Sequence, residues 1–231
     1  MNLAKTDINE AIKINPEYVK ARLLLADIYM RERDMGNAEK ESRKVLELEP
    51  DNYQGMLNMG SIYMAKQESD NAKKMFEACI KASPNDPSGH YRLGFLYRAQ
   101  KDYDKAMTSF EKALSINPKL MDVFSNIVFL HGLKKEYEPA LAKCDKQLQI
   151  VKDSPVAQAM VWTLRGKLYT ALKKKTEAED AYKKALELDP DQMQPYYDMA
   201  TLYLMENNGD KAIEQYKAVL HKSPIRQVLT C

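Results

Sequence analysis

Apolar residues recur at spacings of three and four along almost the whole chain. Leu93, Leu96 and Tyr97 form one such set, and Ala106, Phe110, Ala113 and Leu114 form the next. A stripe with this period marks an amphipathic α-helix with one face turned to a core. Short polar breaks such as Asp34-Met35-Gly36-Asn37 and Asn207-Asn208-Gly209-Asp210 divide neighbouring stripes. Other breaks carry proline, at Asn15-Pro16, Glu49-Pro50, Ser83-Pro84, Asn117-Pro118 and Asp189-Pro190. A residue before proline is driven out of the α region, so a helix stops there. Pro87, Pro139 and Pro195 lie instead near helix starts, where a missing N–H costs nothing. The pattern predicts a succession of helical hairpins and an all-α fold.

The prolines are also periodic. Pro16, Pro50, Pro84 and Pro118 stand 34 residues apart, and the same interval separates Pro190 from Pro224. A fixed period in this range means one helical hairpin copied along an axis, an α-solenoid in which each copy buries its apolar face against its neighbours. The period divides the chain into a lone second helix over 1–18, repeats over 19–52, 53–86, 87–120, 121–158, 159–192 and 193–226, and a tail over 227–231. The eighth place of each repeat reads Ala26, Gly60, Gly94, Val128, Gly166 and Ala200, the eleventh Tyr29, Tyr63, Tyr97, His131, Tyr169 and Tyr203, and the twentieth is always alanine. Small and bulky places at fixed spacing let two helices approach closely, with a ring from one filling the gap left by the other. Pro118 and Pro190 are 72 residues apart where two periods give 68, so four residues are extra, close to one helical turn. The extra turn is expected in the fourth repeat, in the helix running from Pro139 through Leu148 toward Lys152. The chain opens on an unpaired helix and closes on a segment too short for a hairpin. Such ends suit an excerpt of a longer array, or ends covered by a partner or a second copy.

Composition removes several functions. The 231 residues hold 35 Lys plus Arg against 33 Asp plus Glu, a formal charge of +2 that calls for neither nucleic acid nor an anionic membrane. Lysine clusters such as Lys173-Lys174-Lys175 are interleaved with acids and read as solvated surface. No apolar run reaches the roughly 18 residues of a membrane span, and the first residues do not open a secretory signal. A soluble chain is expected, with the cytoplasm favoured. Cys79, Cys144 and Cys231 lack the spacing of a metal site or disulfide framework. His90, His131 and His221 fall in different repeats, and no catalytic motif accompanies them. Neither an active site nor a cofactor or metal is expected, and His90, His131 and Trp162 read as packing residues.

A 34-residue helical hairpin with small, Tyr, Ala, aromatic, Ala and Pro residues at these places resembles the tetratricopeptide repeat. Trp162, Gly166, Tyr169, Ala178, Tyr182, Ala185 and Pro190 carry the likeness best, and His90, Leu93, Gly94, Tyr97, Ala106, Phe110, Ala113 and Pro118 carry it with one substitution. The resemblance implies a right-handed superhelix of antiparallel helix pairs whose first helices line a concave, peptide-binding groove. Carried onto this chain, the groove would use Leu57 and Asn58, then Tyr91, Arg92, Phe95 and Arg98, then Asn126 and Phe129, and finally Lys167. Aromatic and Arg side chains supply most interface hot spots, and Asn58 and Asn126 could hydrogen-bond a peptide backbone. Leu24 and Leu164 could equally serve only hairpin packing. The family's carboxylate clamp for chaperone C-termini is kept only at Asn58 and Arg92. Leu23, Asp27 and Ser88 replace its other members, and an acid and a leucine cannot hold a carboxylate. The expectation is a non-enzymatic scaffold that binds a protein or peptide segment, with self-association possible through open solenoid ends. The alternative is a regulatory or substrate-recruiting array of a larger enzyme.

Overall fold

The computed structural model describes residues 2–222, which hold thirteen α-helices and no strand. They form two compact units. The first, Met1–Asn117, contains α1 (Asn2–Ile14), α2 (Val19–Arg31), α3 (Met35–Leu48), α4 (Tyr53–Ala65), α5 (Ser69–Ala82), α6 (Pro87–Ala99) and α7 (Tyr103–Ile116). The second, Pro118–Cys231, contains α8 (Met121–Leu133), α9 (Tyr137–Ile150), α10 (Pro155–Ala171), α11 (Lys175–Leu188), α12 (Met193–Met205) and α13 (Gly209–Lys222). Within each unit a helix packs on the one before and the one after it, and the units are α-solenoids of antiparallel pairs.

Each pair turns in the same way. In the first turn Asp34 N–H donates to the Tyr29 carbonyl at 2.9 Å and Arg33 N–H to that of Met30 at 3.1 Å, the two bonds of a Schellman cap. The same bonds recur at Glu68 to Tyr63, Asp102 to Tyr97, Glu136 to His131, Lys174 to Tyr169 and Asn208 to Tyr203. The motif needs one residue with left-handed backbone. Arg33, Gln67, Lys101, Lys135, Lys173 and Asn207 take that place, with φ between 57° and 63°. Only asparagine among them adopts it readily.

Inside the pairs, glycine meets aromatic rings. A Cβ on Gly60 would stand 2.3 Å from Phe76, and one on Gly94 would stand 2.6 Å from Phe110. The core then continues between pairs: Met56, Leu57, Ala72, Phe76, Cys79, Leu93 and Leu96 form one buried cluster across α4, α5 and α6. Arg22 of α2 reaches Glu41 of α3 at 2.5 Å and donates to the Pro16 carbonyl at 2.9 and 2.7 Å, which pins the α1–α2 turn to the first full pair.

The four extra residues sit elsewhere than the sequence reading places them. α9 ends at Ile150 and has 14 residues, as do α3, α5, α7, α11 and α13, whereas α10 has 17 against 13 in α2, α4, α6, α8 and α12. The additional turn opens α10. Ser154 caps it by accepting from Ala157 N–H at 3.3 Å, and Pro155 occupies the first turn, where its missing N–H is harmless. Val151 is buried between the two helices and closes α9.

Candidate functional site

In the first unit, the expected groove residues are only partly available. Leu57 and Asn58 of α4 are 8% and 3% exposed, so both are buried where an exposed place was expected. Leu57 belongs to the hydrophobic core, and the Asn58 amide is spent inside the protein. It donates to Asp27 Oδ1 at 3.0 Å and accepts from Gln54 Nε2 at 2.8 Å, which ties α4 to α2. Tyr91 and Phe95, both half-buried on α6, meet edge to face with centroids 4.7 Å apart. Phe95 also meets Phe110 of α7 edge to face at 5.4 Å, and the Arg98 guanidinium lies 4.7 Å above the Phe95 ring. These rings therefore hold the α6–α7 pair together as well as facing outward. Arg92 is exposed.

In the second unit, two expected residues come together. Phe129 of α8 is 51% exposed and lines a cleft with Lys167 of α10. The cleft measures about 400 Å3 and is also lined by Val128, Gly132, Leu133, Tyr137, Leu164 and Leu168. Lys167 Nζ stands 3.5 Å from Asp198 Oδ2 of α12, so the rim carries an ion pair. Asn126 donates to the Asp122 carbonyl at 2.7 Å, a bond within its own helix. Gly132, Leu133 and Leu168 are absent from the sequence-based set. Gly132 could have been found by comparing helix ends, because the corresponding places hold Met30, Met64, Arg98, Thr170 and Leu204.

The description Tetratricopeptide repeat matches at residues 19–52, 53–86, 87–120, 159–192 and 181–215. The chain belongs to the tetratricopeptide repeat family. Solved structures share its fold. A tetratricopeptide repeat protein from Parabacteroides merdae superposes with a TM-score of 0.70 at 16% identity, over 98% of this chain and 88% of that one. Yeast Tom70 gives 0.71 at 21% identity over 95% of this chain, which spans 46% of Tom70. YrrB, a tetratricopeptide protein with an unusual peptide-binding site, gives 0.56 at 19% identity over 82% of this chain and 96% of its own. A search of curated proteins returns no match.

In this tetratricopeptide array Cys79, Cys144 and His131 are buried and His90 is half-buried. Burial pushes the Cys79 and Cys144 thiols up to about 12, which keeps both protonated and poorly nucleophilic. Cys231 lies outside the described residues. His131 is buried, with Nδ1 2.8 Å from Glu136 Oε2 in the turn after α8. His90 is half-buried, and desolvation with nearby Lys112 holds its pKa below the ordinary value. Trp162 packs under the Arg165 guanidinium at 4.8 Å, and Arg165 pairs with Asp145 of α9. Among the described residues no group of His, Cys, Asp and Glu is arranged to hold a metal ion, and no helix is long and apolar enough to cross a membrane.

Proposed function

We propose that this tetratricopeptide array is a non-enzymatic scaffold that holds a peptide or protein segment along its first helices and serves the assembly of a complex. Repeats of this family are interaction scaffolds, and the observation that carries the finer reading is Phe129, a half-exposed ring beside an open apolar cleft. Large aromatic side chains that keep water-accessible area next to a concavity are typical anchors for a partner. The peptide-binding site of YrrB, on the same fold, supports the same use of the surface. The near-equal numbers of acids and bases argue for a protein segment over nucleic acid.

The test is affinity capture from the source cell with wild type and with Phe129→Glu, both shown to be folded by circular dichroism, followed by identification and purified rebinding of what is captured. A named partner that rebinds wild type and is lost from Phe129→Glu supports the reading. Absence of any rebinding partner would falsify it, and a partner held equally by both proteins would move the site off α8.

A further inference from the structure

Asn208 and Gly209 form the single Asn-Gly pair of the chain, where the turn after α12 passes into α13. Every other asparagine is followed by a residue that carries a side chain. Gly209 is exposed, and a Cβ built on it would have nothing within 4 Å. Its φ is not positive, so neither backbone nor packing calls for glycine there. The second helices α3, α5, α7, α9 and α11 open at the same place on Met35, Ser69, Tyr103, Tyr137 and Lys175. What the missing side chain leaves at Gly209 is open space around its nitrogen.

Asn208, half-buried, starts α13 through two bonds. Its Oδ1 accepts from Lys211 N–H at 3.3 Å, and its main-chain carbonyl accepts from Ala212 N–H at 3.2 Å. Asp34 and Asp102 make the same side-chain cap in earlier turns, where Asn37 and Lys105 N–H donate at 3.1 and 3.2 Å. A carboxylate therefore fits this place without rearrangement and faces the positive end of a helix. The Gly209 N–H belongs to the first turn of α13, whose donors have no acceptor within the helix. Closing its nitrogen onto Asn208 Cγ makes a five-membered ring, and no neighbouring atom stands in the way on the Gly209 side.

We infer that Asn208 is a site of spontaneous deamidation, with the Gly209 nitrogen as nucleophile. That nitrogen gives up its proton and bonds to Asn208 Cγ, closing a cyclic imide. The Cγ–Nδ2 bond breaks, and Nδ2 leaves as ammonia with the proton. Water, the only co-reactant, then opens the ring at either carbonyl. Cleavage of the new N–Cγ bond gives ordinary aspartate, which caps α13 as Asp102 caps α7. Cleavage of the original peptide bond gives isoaspartate, whose main chain runs through Cγ. The former main-chain carbonyl becomes a side carboxylate, so the bonds from Lys211 and Ala212 lose their places and the first turn of α13 opens. One amide thus yields a product that keeps the turn and a product that breaks it, each with one more negative charge.

The test is prolonged incubation of the whole chain in neutral buffer, followed by peptide mapping with mass spectrometry and an isoaspartate-specific methylation assay. Conversion of amide to acid at Asn208 should outpace that at every other asparagine, Asn85 before Asp86 included, by about tenfold or more, because glycine alone leaves ring closure unobstructed. Gly209→Ala should slow the reaction by a similar factor while its melting temperature stays level or rises. Asn208→Asp should melt with wild type or above it, whereas the isoaspartate fraction separated from aged protein should lose helix by circular dichroism. The inference is overturned if Asn208 reacts no faster than the other asparagines, or if Gly209→Ala reacts as fast as wild type. It is also overturned if a synthetic peptide of residues 203–213 reacts while the folded chain does not, since the turn then closes the site. An isoaspartate fraction with the helix content and melting temperature of wild type would remove the claimed break in α13.

Discussion

The ring of Tyr182 lies 2.3 Å from the point where a Cβ on Gly166 would stand. Such a distance is possible only because that carbon is missing. The same interlock joins Gly60 to Phe76 and Gly94 to Phe110. Where the small place is Ala26 or Val128, the residue at the ring's place shrinks to Ser42 or Cys144, all four being buried. Size is shared out across the pair in these five repeats, whereas in the sixth Ala200 stands with Tyr216, a ring that stays 40% exposed. Gly166→Ala is therefore expected to cost about 1–3 kcal/mol in urea unfolding, and Gly94→Leu at least as much. Copying the other solution, Gly166→Val with Tyr182→Cys, should recover part of the loss. Wild-type stability in Gly166→Ala would refute the interlock.

The hairpin turns hold a different reserve. Lys101 adopts φ 60° in the turn between α6 and α7. Left-handed backbone costs a lysine roughly 1–2 kcal/mol, and glycine's greater freedom in the unfolded chain gives back about 0.5–1 of the relief. Lys101→Gly should raise stability by about 0.5–1 kcal/mol, while Asn207→Gly, starting from a residue tolerant of this conformation, should gain less. Equal gains at both positions would contradict the explanation.

Arg22 and Glu41 form the most enclosed ion pair described, 2.5 Å apart with each side chain 11% exposed. Removing one partner leaves the other charge in a poorly hydrated place. Glu41→Ala is expected to cost about 3–5 kcal/mol, whereas exchanging both residues for apolar ones of similar volume should cost much less. A double variant as unstable as the single one would show that the Arg22 bonds to the Pro16 carbonyl dominate.

Stability should also respond to acid through Glu39. A hydrogen bond from Lys66 and the nearby Arg43 hold its carboxyl below the ordinary value of 4.5. A depressed carboxylate pKa stabilises the folded state above the unfolded value, and the contribution fades as pH falls through the folded value. Lys66→Met should therefore melt lower than wild type at neutral pH, with the gap closing below pH 4.5. A gap that persists unchanged into strong acid would exclude Glu39 as its source.

Much of this fold could be read from the chain because its packing rule is local and repeated. Gly94 opposite Phe110 and Ala38 in every equivalent place announce the hairpin in any one copy. Pro139 draws the extra turn to α9, whereas the Ser154 cap before Pro155 marks where it lies, at the start of α10. Asn58 reads as a surface place because helical position gives the direction of a side chain but not whether Asp27 is there to bond it. Phe129 and Lys167 were legible individually. Their shared cleft is not, since it depends on α8 and α10 lying side by side across an intervening helix.

The longer α10 carries a lesson about how such an array can change length. Every connection from a second helix to the next first helix, from residues 15–18 to 189–192, has four residues, including 151–154 before the lengthened helix. Adding four residues to the front of a helix advances its start by about 6 Å but rotates it only about 40° beyond a full circle. The incoming strand of chain thus arrives on nearly the same side, and Gly166 still meets Tyr182. One, two or three added residues would swing that entry point around the barrel of the helix and demand a new connector. Growth in this architecture comes in quanta of a turn, and the start of α10, just after the fifth connection, records one such quantum.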